Sequence, residues 1–306
     1  MAANSYRYHE VLNKGQIRLL DLKAGHEQDD IEIEFKISNL THMPRYEALS
    51  YEWGTTRKTN FVKISGYEIN ITHSLYLFLK RIRDRSQPRT LSIDAISINQ
   101  EDSLEKSQQI PLMADIFGKA TRVLIWLGPQ VSRPHDVFRM LYALAKLWIW
   151  REVRKVRKGE FRPLSWTDID LVETIALQSW DDDLWIAIYE LVNRSYFCRT
   201  WIVQEVTVAN DPRVLCGPSE MSWTHFSYAA AYLSRSLYHL HQNSSNAGLA
   251  RISAITTIRS AYQSGAMIEL ADVCITSRTL QATHGQDKVY GFLGLLRGKT
   301  KKCYPP

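Results

Sequence analysis

The sequence predicts an α/β fold built on a parallel sheet with helices on both faces. Three short apolar runs carry that reading: Tyr46-Glu-Ala-Leu-Ser-Tyr-Glu-Trp-Gly54, Leu91-Ser-Ile-Asp-Ala-Ile-Ser-Ile-Asn-Gln100 and Arg122-Val-Leu-Ile-Trp-Leu-Gly128. Each stops at a polar or glycine-containing corner, and helical periodicity lies between consecutive runs. That alternation marks parallel strands joined by crossover helices. In such sheets the corners after the strand C-termini form the ligand crevice. Here they carry Ser50, Tyr51, Glu52, Trp53, Asp94, Asn99 and Gln100.

Taken in order, residues 15–39 read as a β-hairpin preceding the main sheet. Ile17 and Leu19 alternate with polar neighbours, and Leu20 and Leu22 continue one residue out of step, as a bulge would allow. Ile31, Ile33, Phe35 and Ile37 alternate cleanly after a Gly25–Asp30 turn. The first core strand is expected at 46–52, then a β-ribbon at 61–71 turning at Gly66-Tyr67, then a helix at 74–84 with Leu75, Phe78, Leu79 and Ile82 on one face. The second core strand is expected at 91–98, which puts Asp94 mid-strand. A polar loop follows at Asn99–Glu105, then a helix to Ala120 that either begins or kinks at Pro111. The third core strand is expected at 122–127.

Beyond Gly128 the pattern is helical at 136–158 and 166–193, with an acidic corner at Asp181-Asp182-Asp183. A helix at Arg194–Asn210 carries Trp201 and Glu205, a strand follows at Arg213–Cys216, and 222–281 is mostly helical. This divides the chain into an N-terminal β extension (1–45), the first part of the core (46–128), a helical insertion (129–193), and a core completion with a helical C-terminal part (194–306). The chain stops at Tyr304-Pro-Pro306 with no clear end to its last element, which reads as a piece of a longer protein.

Composition narrows the function classes. With 306 residues, 45% of them hydrophobic and 23% charged, the chain can bury a substantial core. Four cysteines (Cys198, Cys216, Cys274, Cys303) have neither paired spacing nor a nearby His cluster. This argues against both a structural zinc site and a disulfide scaffold, and suits a reducing cytoplasm; no metal-binding residues are expected. No stretch reaches the roughly eighteen apolar residues of a membrane span. The glycines form neither a dinucleotide fingerprint nor a P-loop. The basic run Lys146–Arg162 has its Trp residues in helical rather than base-stacking order, so nucleic acid is not the expected partner.

Trp201 and Glu205 are four apart and share one helical face, with Ile202 and Val208 flanking the carboxylate. Glu205 is either a catalytic or ribose-binding carboxylate beside an aromatic wall, or half of a structural pair with Arg199, Arg194 or a distant base. Asp94 in an apolar run must be partnered, because an unpaired buried charge costs several kcal/mol. It is read first as a structural anchor and second as a ligand contact.

These segments resemble the HET (heterokaryon incompatibility) domain of filamentous fungi. The matching motifs, in family order, are Tyr46-x-Ala-Leu-Ser-Tyr-x-Trp-Gly54, Ile93-Asp-Ala-x-x-Ile-Asn-Gln100 with Glu105, Gln109 and Met113, and Val123-x-Ile-Trp-Leu-Gly128. Two more follow: Arg194-Ser-x-Phe-x-Arg-x-Trp-Ile-Val-Gln-Glu205 and Asp287-Lys-Val-Tyr-Gly-x-Leu-Gly294. Ser92 and Ser97 stand where the pattern usually has Trp and Cys, so no thiol chemistry is expected there.

The resemblance implies a role in self/non-self recognition that ends in programmed cell death. It also implies a distant likeness to TIR domains, hence a TIR-like (flavodoxin-like) sheet. On that plan Trp201-x-x-x-Glu205 falls on the helix that carries the catalytic glutamate of NAD-cleaving TIR domains, with Ile202 in place of the usual Cys. The implied activity is cleavage of NAD, as substrate rather than cofactor, in a homo-oligomer formed on activation and answering to an upstream recognition protein. Glu205 would be catalytic; Ser50, Tyr51, Trp53, Asp94, Asn99, Gln100 and Trp201 would line the substrate site. The rival implication is a non-catalytic signalling or oligomerisation module that kills through partner assembly.

Overall fold

The computed structural model describes residues 5–54, 57–156, 182–236, 247–282 and 285–296. Expectations at 157–181, at 237–246 and beyond Leu296, including most of the first part of the 166–193 helix, Asp181 and Cys303, lie outside the described residues.

Apolar alternation in the N-terminal half produces six strands: β1 (Gln16–Leu22), β2 (Glu32–Asn39), β3 (Glu47–Tyr51), β4 (Lys58–Ile64), β5 (Tyr67–Thr72) and β6 (Arg89–Ser92). Then come β7 (Arg122–Trp126), β8 (Pro212–Cys216) and β9 (Ser219–Ser222). They form one nine-stranded sheet in the order β5-β4-β2-β1-β6-β3-β7-β8-β9. The sheet is mixed rather than wholly parallel. β6, β3, β7 and β8 are mutually parallel, whereas β1 runs antiparallel to β6 and β9 antiparallel to β8. The expected hairpin therefore does not merely precede the sheet but extends it.

Three local expectations need correction. Leu19 and Leu20 are both fully buried, yet β1 pairs with β2 in unbroken register. No bulge is involved: β1 lies between two strands and buries both faces. The β4–β5 ribbon turns at Ser65-Gly66, both with positive φ (49° and 83°), the conformation of a two-residue hairpin turn. The second core strand stops at Ser92, and 94–97 wind into a single helical turn. The Ser97 hydroxyl accepts a hydrogen bond from the Ile93 amide at 3.1 Å, drawing the chain back on itself where alternation alone suggested extension.

Helices cover both faces. On one, α1 (His73–Ile82) buries Leu75, Phe78, Leu79 and Ile82, and the Thr72 side chain caps its N-terminus. This stripe packs on Leu20, Leu22, Leu49, Tyr51, Leu124 and Trp126. The turn Asp94–Ser97 is α2, followed by α3 (Ser103–Gln109) and α4 (Met113–Lys119). A 3₁₀ turn at Ile110–Leu112 separates α3 from α4, so the chain kinks at Pro111. α4 packs on the opposite face with α5 (Pro134–Val156), α6 (Asp182–Val192), α7 (Trp201–Val208), α8 (Trp223–Ser236) and α9 (Ala247–Gln263). Two short helices follow, α10 (Leu270–Thr276) and α11 (Asp287–Leu293). Among the described residues no helix is long and apolar enough to cross a membrane.

Candidate active site

Strand alternation decides which side chains meet. In β3, Ala48 joins the core under α7 while Leu49 and Tyr51 face α1. Ser50 therefore points to the α7 side, where its hydroxyl donates a hydrogen bond to Glu205 Oε2. Ser50 Oγ also lies 2.6 Å from the Tyr196 hydroxyl. Adjacent Tyr51, expected beside Ser50 in one crevice, is on the other face, edge-on to Phe78 at 6.1 Å.

The helix carrying Glu205 is not amphipathic. Every residue from Ile202 to Val208 is buried, so the carboxylate sits inside the protein, 4% exposed. Burial pushes Glu205 up to about 7, with Asp94 adding to the rise while Arg199 and the Ser50 hydrogen bond oppose it. Tyr196 is likewise raised by burial and then by Glu205, and so remains a neutral hydroxyl.

Arg199 lies just before α7, half-buried, and donates to the Tyr51 carbonyl. No salt bridge joins it to Glu205 or Asp94 among the described residues, and it acts on both through space. Asp94 opens α2 rather than lying mid-strand, and its carboxylate accepts from the Trp53 indole at 3.3 Å and the Ala95 amide at 2.8 Å. Apolar surroundings raise it above the usual carboxylate range, against the pull of Arg199. Glu52 reaches over to the Ser195 hydroxyl, so the segment after β3 is tied to the approach to α7.

The remaining expected residues have other partners. Gln100 Nε2 donates to the Asp94 carbonyl at 2.9 Å, and Asn99 Oδ1 accepts from the Glu101 amide at 3.2 Å, so both shape the loop after α2. Trp201 packs against α11: a Cβ at Gly291 would lie 3.6 Å from its Cε3. The glycines of the last motif are thus contact points for the Glu205 helix.

Two further residues hold the site and escape sequence reasoning. Tyr196 occupies a variable place in the quoted motif, and nothing local marks it. Arg259, buried in α9, donates to the carbonyls of Val206, Thr207 and Ala209 at 2.6, 3.2 and 2.7 Å. It closes the C-terminal end of α7, where carbonyls have no helical partners. Burial lowers its guanidinium to about 10. A contact from α9 back to α7 has no sequence signal. No group of three or more His, Cys, Asp and Glu residues that could hold a metal occurs among the described residues.

The sequence model described as Heterokaryon incompatibility protein (HET) matches residues 46–205, from the first core strand to Glu205 itself. The chain belongs to the HET family. The HET match spans Ser50, Asp94, Tyr196, Arg199 and Glu205, whereas Arg18 and Arg259 lie outside it. Heterokaryon incompatibility protein 6, OR allele, of Neurospora crassa is 30% identical over 248 residues, covering 71% of this HET chain. The match takes in 36% of that protein, so the chain spans about a third of its relative's length. No solved structure matches.

Proposed function

We propose that this chain is a cytoplasmic effector of heterokaryon incompatibility and cell death that cleaves NAD to nicotinamide and ADP-ribose products. The observation that carries the reading is the Ser50–Glu205 pair: a carboxylate held inside the protein by a hydroxyl from the end of a core parallel strand. The name of the Neurospora relative supports the biological role. Strand order supports the TIR-like part. Numbered by chain order, the parallel strands β3, β6, β7 and β8 lie as 2-1-3-4, the flavodoxin-like arrangement, with its switch point between β3 and β7. β9, antiparallel to β8, departs from that plan.

The chemistry suits such a site. Breaking the bond between ribose C1′ and the nicotinamide nitrogen sends the bonding pair to nitrogen, so the leaving group departs neutral and needs no general acid. Water adds to C1′ and its proton leaves. What must be supplied is negative charge beside an oxocarbenium-like ribose, preorganised away from solvent. Glu205 in its ionised form provides it, and the cationic nicotinamide ring favours that form on binding. At 4% exposure Glu205 is closed to a substrate, so we place activity after an opening step, driven by self-association under an upstream recognition protein.

A second reading, a non-catalytic assembly module, is favoured by one observation: Leu104, next to the loop after α2, is 68% exposed. Expression of wild type and Glu205→Gln in fungal cells separates the two. Death and NAD depletion that both need Glu205 support catalysis. Equal killing by both proteins with NAD unchanged supports assembly.

A further inference from the structure

Arg18 of β1 is 3% exposed and bonds to the N-terminal segment, to α2 and to α3 at once. Its Nη1 donates to the Ser97 carbonyl at 2.7 Å and to Glu105 Oε1 at 2.8 Å. Its Nη2 donates to Glu105 Oε2 at 3.3 Å and to the Glu10 carbonyl at 3.0 Å. Its guanidinium lies 4.8 Å from the centre of the Tyr8 ring, which in turn stacks on Phe35 at 5.9 Å. The Tyr8 hydroxyl donates to the Ile96 carbonyl at 2.7 Å.

These bonds converge on α2. A single helical turn leaves most of its carbonyls without helical partners, and these must be satisfied from outside. Here the carbonyl of Asp94 takes the Ile98 amide and Gln100, whereas that of Ile96 takes Tyr8 and that of Ser97 takes Arg18. Ile93, at the N-cap, offers no side-chain bond. The turn that presents Asp94 to Trp53 is therefore held in part by a segment nearly ninety residues earlier in the chain.

That segment is lightly attached. From Ser5 to His9 the residues alternate between exposed and half-buried, Glu10 is exposed, and Leu12 is the buried anchor. Tyr6 donates its amide to the Glu68 carbonyl at 2.9 Å, and Val11 stands 87% exposed. Segments with few buried contacts open locally without global unfolding.

We propose that residues 5–12 form a strap whose Tyr8, with Arg18, positions the Asp94 turn at the crevice, so that detaching the strap alters the site. The functional importance of that turn rests on the NAD-cleavage reading, but the coupling itself does not. Neither Tyr8 nor Arg18 touches substrate in this scheme; both act through Asp94 and are positioning residues.

Tyr8→Phe keeps the ring on Phe35 and under Arg18 and removes only the bond to Ile96; Arg18→Lys keeps the charge and loses the forked geometry. Each is compared with wild type by amide hydrogen exchange and by the Trp53 indole N–H resonance, assigned with Trp53→Phe. In Tyr8→Phe the amides of Ile96–Asn99 should exchange roughly fivefold faster, the scale of one lost hydrogen bond, and the Trp53 resonance should move. Amides of α8 should not change. Faster exchange confined to the strap, with 94–99 and Trp53 unmoved, overturns the inference, and so does a uniform rise throughout the protein. If Arg18→Lys fails to fold, Tyr8→Phe alone decides. A wild type that leaves NAD intact would count against the proposed activity without touching this outcome.

Discussion

Ser50 donates a hydrogen bond to the carboxylate of Glu205, 155 residues further along the chain, with Tyr196 closing the other side of the hydroxyl. The contact joins the end of the first core strand to α7, the helix that leads into β8. It arises because strand alternation turns Ser50, not Tyr51, toward a helix buried on every side. Its consequences are measurable.

Glu205 is held at about 7 against 4.5 for a free carboxyl. The folded protein therefore keeps a proton that the unfolded chain releases. The stability tied to that proton is full below about pH 4.5 and is lost as pH rises through about 7. Glu205→Gln abolishes this loss. Above pH 7 it should be more stable than wild type by up to roughly 3 kcal/mol, since each tenfold difference in proton affinity between folded and unfolded chain is worth about 1.4 kcal/mol. Urea denaturation across that interval measures the difference; stability curves that run parallel would contradict burial of the carboxylate.

Ser50→Ala takes away the hydroxyl that favours ionised Glu205. It should destabilise the fold by about 1–3 kcal/mol through the partners left unsatisfied and push Glu205 above its wild-type value. The carboxyl carbon resonance of Glu205, followed through pH, reads that change. A midpoint shifted downward would show that Ser50 does not stabilise the charge.

Gly294→Ala should loosen the docking of α11. A Cβ there would sit 2.5 Å from the Ala114 Cβ, closer than atoms approach, and although the Gln204 amide, also 2.5 Å away, can swing aside, the Ala114 methyl cannot. Overpacking of this kind costs about 1–3 kcal/mol. An unchanged denaturation midpoint would mean that α11 does not pack as described.

The Arg18–Glu105 pair, 3% and 8% exposed, should behave as a buried ion pair. Glu105→Ala leaves a guanidinium uncompensated and should cost about 3–5 kcal/mol, whereas an apolar replacement of both residues should recover much of that. A double variant no more stable than the single one would show that Arg18's bonds to Ser97 and Glu10 matter more than its charge partner.

The legible part of this fold was what periodicity encodes. The three core strands, the stripe of α1 and the N-terminal hairpin each repeat at the period of their element. The turn of α2 was not legible, because Leu91–Ile98 is apolar enough to pass for a buried strand and only the Ser97–Ile93 bond reveals the fold-back. For the site, the sequence singled out Ser50, Asp94 and Glu205, with Asp94 misplaced in mid-strand, and the structure joins Ser50 to Glu205 directly. It did not single out Tyr196, Arg18 or Arg259, whose roles lie in bonds to residues 146, 87 and about 50 positions away. Asn99 and Gln100 looked like ligand contacts because their loop is polar; that polarity also serves to satisfy the loop's own backbone.

The central claim is that Glu205 steadies positive charge on the ribose of NAD. It is tested most directly by nicotinamide release from NAD, with purified wild type and Glu205→Gln at high protein concentration and matched folded fraction. Wild type should release nicotinamide at a rate that grows with self-association, and the variant should fall by roughly a hundredfold or more, the scale of a lost electrostatic stabiliser. Equal release by the two proteins, or none from wild type at any concentration, would contradict it.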